Sequence, residues 1–475
     1  MDEQNMEQAR PVNPRRRRRS KMEIFKEAYL PVIIAGVAVL LIVIFLIGSI
    51  VRAVQKNQYE KQESIEASVS EAAEQARLNA EAVHISAQAK ALATGYDYAG
   101  ALEILDSFSG DINEYPDLAA MRASYEDAQS QMVLWDDPSQ VVCLSMQLLI
   151  ADPQRAFQHE TYQTSFRNNF ITTQEFSKIL QQLYENGYIL VSIDDFIATT
   201  YAEDGTEIYT PKPMYLPNGK RPLLLTQTNV NYNIYLIDSD GDKLPDANGG
   251  GFASKMIIGS DGNITCEMVD SNGEIVTGAY DMVPILNAFV AQHPDFSYKG
   301  ARALLALTGY NGLFGHRTNA GALEDFGEDA YTEAQTNVTI IESVLRQDGY
   351  DFACYTYENI GYGESGLSEI QADLASWNNE VVPLIGPTDV LVYAQMSDIT
   401  EEPEYSGEKY DALINSGFRY FLGFCEEGAM QTTVTDNYVR IDRLLVTGAN
   451  LTQHPEWFET IFDASSVLDS ARNAE

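Results

Sequence analysis

Hydrophobic and polar positions divide this chain into three textures. Pro31–Val51, PVIIAGVAVLLIVIFLIGSIV, is an unbroken apolar run without a charged residue. At about 21 residues and 1.5 Å per residue it is long enough for ~30 Å of hydrocarbon, so it predicts a transmembrane helix. Gln55–Lys90 is rich in Ala, Glu, Gln and Lys and contains neither Pro nor Gly, a composition that favours helix. From Val141 onward, short apolar runs alternate with amphipathic helices. The clearest helix covers Thr172–Asn186. Thr172 and Glu175 form a capping box, Phe176, Ile179, Leu180 and Leu183 share one face, and Gly187 stands where a helix-ending glycine belongs. Strands are predicted at 189–193 (ILVSI), 222–226 (PLLLT), 303–309 (ALLALTG), 350–357 (YDFACYTY), 390–394 (VLVYA) and 418–424 (FRYFLGF). Helices are predicted at 281–292, 332–347, 367–382 and 408–416. Strands and helices at this spacing imply βα units around a parallel sheet, open or closed into a barrel. In such barrels the chemistry sits at the C-terminal ends of the strands.

The apolar positions of Gln55–Lys90 are mostly alanine, too small for a strong seam, so a stalk is expected and a coiled-coil dimer is only weakly encoded. Leu92–Ala128 predicts a helical hairpin with its turn at Ser109–Pro116. Its first half resembles a tetratricopeptide helix at Leu92, Gly95, Tyr98 and Ala101, in a single copy. The expected organisation is a basic tail over 1–30, a transmembrane helix over 31–51, a helical stalk with hairpin over 52–135, and one domain over 136–475.

The 475 residues carry a formal net charge of −38, which argues against nucleic acid as partner. The basic exception is Arg15–Arg19 with Lys21, and by the positive-inside rule it keeps the N-terminus in the cytoplasm and exports everything after Arg52. A cleaved leader would have a shorter apolar core and a small-residue exit, which SIVRAVQ is not. The cysteines Cys143, Cys266, Cys354 and Cys425 contain no CxxC pair, so a zinc cluster is not expected and buried free thiols are.

Thr172–Phe196, TTQEFSKILQQLYENGYILVSIDDF, resembles the opening of the polysaccharide deacetylase family. The similarity continues through 307–318 (LTGYNGLFGHRT), 376–393 (SWNNEVVPLIGPTDVLVY) and 463–472 (DASSVLDSAR), and spans about Val141 to Arg472. The resemblance implies an α/β fold, a distorted (β/α) barrel, here preceded by a transmembrane helix and an all-helical stalk. It also implies metal-assisted hydrolysis of an acetyl group, with a metal to activate water and a carboxylate base. The family's motifs are an Asp-Asp pair, two histidines four apart, and a Pro-containing carbonyl-binding segment. At those positions this chain has Thr228 and Asn229, Tyr355 and Asn359, and Ala394, Gln395 and Met396. Gln147 stands where membrane-bound relatives carry a histidine. Amides and hydroxyls are poor ligands for a catalytic metal, so no catalytic cofactor is expected. The five histidines, His84, His159, His293, His316 and His454, include no pair four apart, although His316 and Asp398 could meet in the mouth.

Several residues remain as candidates for binding. Tyr232, Tyr235, Tyr310, Tyr355, Tyr357 and Tyr393 fall at or near predicted strand ends and offer faces for stacking on sugars, or ordinary packing. Arg440 and Arg443 could hold an anionic group or form salt bridges. DSDGDKLPD places Asp238, Asp240, Asp242 and Asp246 in a loop resembling those of extracellular calcium repeats, either a structural calcium site or a solvated acidic turn. The expectation is a single-pass cell-membrane protein whose extracellular domain is a deacetylase-like pseudoenzyme binding cell-wall polysaccharide or a surface partner. The alternatives are an active metal-dependent deacetylase or esterase with an unrecognised site, and a structural surface spacer.

Overall fold

The computed structural model describes residues 59–400, 404–425 and 428–473. The predicted basic tail and the predicted span Pro31–Val51 lie outside the described residues. Among those described, no helix is long and apolar enough to cross a membrane. Two compact units emerge, one running to Ala91 and including Ala99–Glu126, the other comprising Leu92–Tyr98 and Asp127–Glu475.

In the first unit the alanine-rich segment is the helix Tyr59–Thr94. The expected two-armed hairpin has a different beginning. Leu92 belongs to the end of the long helix, Tyr96 breaks it with φ 64°, and a second helix, Tyr98–Asp106, follows. The other arm, Pro116–Ser130, starts on a proline, whose missing N–H has no intrahelical partner to lose there. Ala82, Ile85, Ala89, Ala101, Leu105, Phe108 and Leu118 are buried, and Glu81 accepts from the Ser109 backbone N–H at 2.8 Å.

The second unit is organised by seven strands, β1 (Val142–Met146), β2 (Arg221–Thr228), β3 (Ala303–Leu307), β4 (Asp351–Cys354), β5 (Val390–Val392), β6 (Tyr420–Phe424) and β7 (Val439–Leu445). Each pairs in parallel with the next, and β7 returns to β1 through Leu444–Leu144 and Leu445–Ser145. The ring is therefore closed. The sequence predicts β2 to β6 but neither β1 nor β7, whose VRIDRLL carries three charges in seven positions. The strand predicted at 189–193 is a separate short strand, Tyr188–Leu190, that pairs with the start of β2, and its last predicted residue, Ile193, opens a helical turn to Phe196.

Both faces of the ring are buried, which is why β2 and β3 read as continuous apolar runs. One core lies outside the ring, under helices such as Thr173–Glu185 and Met282–Gln292. The other fills the interior with Cys143, Leu224, Ala306, Ala353, Val392, Leu422 and Ile441. The capping box forms as predicted: Thr172 Oγ1 accepts from Glu175 N at 3.1 Å, and the Glu175 carboxylate from Thr172 N at 2.8 Å. Burying Phe176, Ile179, Leu180 and Leu183 contributes roughly 1.5–3 kcal/mol each. Between β2 and β3 the chain adds a three-stranded antiparallel sheet, Lys255–Ile258, Ile264–Val269 and Ile275–Gly278.

Candidate functional site

Thr228 ends β2 and Asn229 follows it. Tyr355 and Asn359 follow β4, and Gln395 follows β5. Parallel strands place all five at one end of the barrel. Asn229 accepts from the Thr308 hydroxyl at 3.0 Å, Thr228 donates to Met146 O at 3.4 Å, and Gln395 donates to Asn359 O at 3.2 Å. Backbone strain concentrates here too. Asn229, Tyr232, Thr356, Asn359, Gln395 and Met396 all have φ between 52° and 61°. Such positions cost of order 1–3 kcal/mol each and persist only where the surroundings over-determine them. The restraints are visible: Asp373, buried, accepts from the N–H groups of Tyr357 and Glu358 at 2.7 Å each. Arg317 donates to the carbonyls of Asn311 at 2.8 Å and Tyr232 at 2.9 Å.

Three of the predicted stacking tyrosines are placed otherwise. Tyr232, Tyr357 and Tyr393 are buried, so their faces are packed rather than open to a sugar. Tyr232 donates to Asp281 at 2.6 Å, Tyr357 donates to Glu380 at 2.6 Å, and Tyr393 stacks on Phe421 at 6.2 Å. Burial and the adjacent Asp281 push the Tyr232 hydroxyl far above the ordinary phenol range. Tyr355, Tyr235 and Tyr310 remain partly exposed. Arg440 pairs with Asp398 at 3.0 Å and with Asp442, and Asp398 also accepts from Tyr405 at 2.8 Å. His316 does not meet Asp398; it is buried, with Nε2 at 2.9 Å from Met256 O, and burial lowers its pKa. Arg443 is different: it lies inside the barrel, donating to Ser145 Oγ at 3.1 Å and Tyr393 O at 2.6 Å.

Among the described residues, the group of His, Cys, Asp or Glu side chains placed to share a metal is Asp238, Asp240 and Asp246, whose oxygens lie within 4.8 Å of one another. Asp242 stands apart from this group and accepts from Leu244 N at 2.8 Å. None of the rim positions belongs to such a group. The four cysteines are free, and burial raises all four thiols, Cys425 to about 12, which makes them poor nucleophiles at neutral pH.

Beside the rim lies a groove of about 470 Å³, lined among others by His159, Tyr162, Asn233, Tyr235, Asp238 and Asn311. The Tyr162 and Tyr235 rings meet edge to face at 5.6 Å, and the His159 ring lies 5.3 Å from Tyr162. His159 Nδ1 accepts from Thr161 N and Tyr162 N, so its proton belongs on Nε2. Sequence reasoning passed over His159, Tyr162 and Asn311. They sit in polar stretches without periodicity, and only the fold brings them to Asn233 and Tyr235. It also missed Asp281, which joins Tyr232 to Gln227 (2.8 Å) and Leu149 N (3.0 Å).

The fold defines the class as a closed parallel (β/α) barrel with a distorted, seven-stranded ring. A scan against protein-family models finds no match, and a search of the curated proteins finds none. Among solved structures, the chain is similar to the Streptococcus pyogenes deacetylase PplD in complex with acetate. The two are 12% identical over 66% of this chain and 98% of that one, with a TM-score of 0.34. At that score the likeness adds nothing to what the strand pairing already shows.

Proposed function

We propose that this chain is a membrane-anchored, extracytoplasmic protein of polysaccharide deacetylase type that binds cell-wall glycan without hydrolysing it. The observation that carries the binding reading is the groove beside the barrel rim. Its volume falls within the ~300–1,000 Å³ typical of ligand sites, and it combines tyrosine faces with amides and a carboxylate. The silent-site reading is supported by the rim, where hydroxyls and amides occupy the positions at which the chemistry needs imidazoles and carboxylates. The anchor reading rests on the apolar run Pro31–Val51 and the arginines before it.

The test is retention of the purified full chain on insoluble cell-wall glycan, with acetate release followed in the same tube. Retention without acetate is expected. Tyr162, 37% exposed, is the ring to remove: Tyr162→Ala should weaken retention roughly 3–10-fold, the equivalent of ~0.5–1.5 kcal/mol for one aromatic contact. Retention unchanged by Tyr162→Ala would move the binding site away from the groove. No retention at all would leave a surface spacer.

A further inference from the structure

Strand alternation identifies a second site, deeper in the barrel. Cys143, Leu224, Ala306, Ala353, Leu422 and Ile441 belong to the interior core. Successive side chains on a strand alternate faces, so the next inward positions toward the mouth are Ser145, Thr226 and then Thr228, Thr308, Tyr355, Phe424 and Arg443. The Arg443–Ser145 hydrogen bond across the β7–β1 seam agrees with this assignment. The mouth is therefore lined by hydroxyls, the rings of Tyr355 and Phe424, and one guanidinium. Asp442 is the carboxylate nearest in sequence, but it falls on the alternate face and is held by Arg440.

Arg443 is 1% exposed, and among the described residues no carboxylate forms an ion pair with it. Its Nη atoms are used by Ser145 Oγ and the Tyr393 carbonyl, while Nε is buried without a hydrogen-bond partner. Arg472, whose side chain is also largely buried, is by contrast paired with Glu175. A guanidinium cannot shed its proton, and an ionised group removed from water without a counter-charge is costly. The partly exposed Tyr355 lies with its ring 5.7 Å from the buried Arg443 guanidinium.

We propose that the mouth of the barrel is a carboxylate-binding cup centred on Arg443, with the Ser145, Thr228 and Thr308 hydroxyls around it and the Tyr355 ring beside it. The ligand class is a carboxylate, borne either by an acidic sugar of the bound glycan or by a small free acid. A carboxylate supplies what the guanidinium lacks, a charge-assisted hydrogen bond to Nε. The acidic-sugar form rests on the glycan-binding reading above; the cup itself does not.

The test is thermal melting of the purified full chain in sodium acetate, sodium glucuronate, or neutral glucose with sodium chloride, all at one ionic strength. Both carboxylates should raise the melting temperature over chloride, and glucose should not. A larger response to glucuronate assigns the cup to an acidic sugar, and an equal or larger response to acetate assigns it to a small acid. Arg443→Gln should weaken the carboxylate response at least tenfold. It should also melt no lower than the parent in chloride, because it removes an unpaired buried charge; a purely structural arginine would show the opposite. Arg443→Lys, which keeps the charge, should restore part of the response. No carboxylate effect on the parent chain, or an equal effect on Arg443→Gln, overturns the cup. Loss of glycan retention with the carboxylate response intact overturns only the glycan reading.

Discussion

Arg472 near the C-terminus closes a clasp on the helix Thr173–Glu185, and its removal has a calculable effect. Its guanidinium donates to both oxygens of Glu175, at 2.5 and 2.8 Å, and to the carbonyls of Arg167 at 2.6 Å and Phe170 at 2.7 Å. The Glu175 side chain is 0% exposed and that of Arg472 is 6% exposed. Arg472→Met keeps the stem and deletes the charge, leaving Glu175 with the N–H groups of Thr172 and Asp469 as its donors. Stranding one partner of a buried pair costs about 3–5 kcal/mol. At ~2–4 °C per kcal/mol for a domain of this order, the melting temperature should fall by roughly 6–20 °C. The double variant Glu175→Gln/Arg472→Met should recover much of that loss, since no uncompensated charge remains. Urea unfolding followed by circular dichroism measures both. A loss below ~1 kcal/mol in Arg472→Met, or no recovery in the double variant, would show that the pair does not hold the clasp.

Other outcomes follow from the same structure. A Cβ at Gly448 would meet Arg167 O at 1.9 Å and Arg472 Nη1 at 2.4 Å, so Gly448→Ala should cost ~1–3 kcal/mol by pushing apart the same clasp. If Asp238, Asp240 and Asp246 take calcium, millimolar calcium should raise the melting temperature of the full chain. At ~100 times the dissociation constant the gain is ~2.7 kcal/mol, and Asp246→Asn should abolish it; no shift removes the site. His316 is held neutral because burial depresses its pKa. The unfolded chain therefore takes up a proton that the native state excludes, and stability should fall as pH drops below ~6.5. His316→Gln should make that decline shallower between about pH 7 and pH 5 in urea titrations, and an unchanged slope would contradict the assignment.

The barrel was largely legible in the sequence because parallel strands buried on both faces leave continuous apolar runs such as PLLLT and ALLAL. β7 escaped because its Arg440, Asp442 and Arg443 look like surface charges. The fold pairs the first two with each other and turns the third inward. The sheet between β2 and β3 was not predicted although its signals are present: Gly262 and Gly273 sit in Asx-type turns at φ 83° and 82°, and ITCEMV alternates inward and outward. The tyrosines show the opposite failure. Strand ends were located well enough, but whether a ring there points to solvent or packs against Asp281, Glu380 or Phe421 depends on distant segments. The groove is likewise tertiary, joining His159 and Tyr162 to Asn233 and Asn311 across separate stretches of chain.

The proposed function has two parts, a ligand site on this barrel and a rim that carries out no metal-dependent hydrolysis. The most direct measurement is acetate release from acetylated cell-wall glycan by the full chain, with zinc added and with a chelator, alongside the metal content of the same preparation. No acetate above the protein-free control is expected in either condition. Chelator-sensitive release, together with one equivalent of transition metal lost on changing Asn229 or Asn359, would contradict the second part.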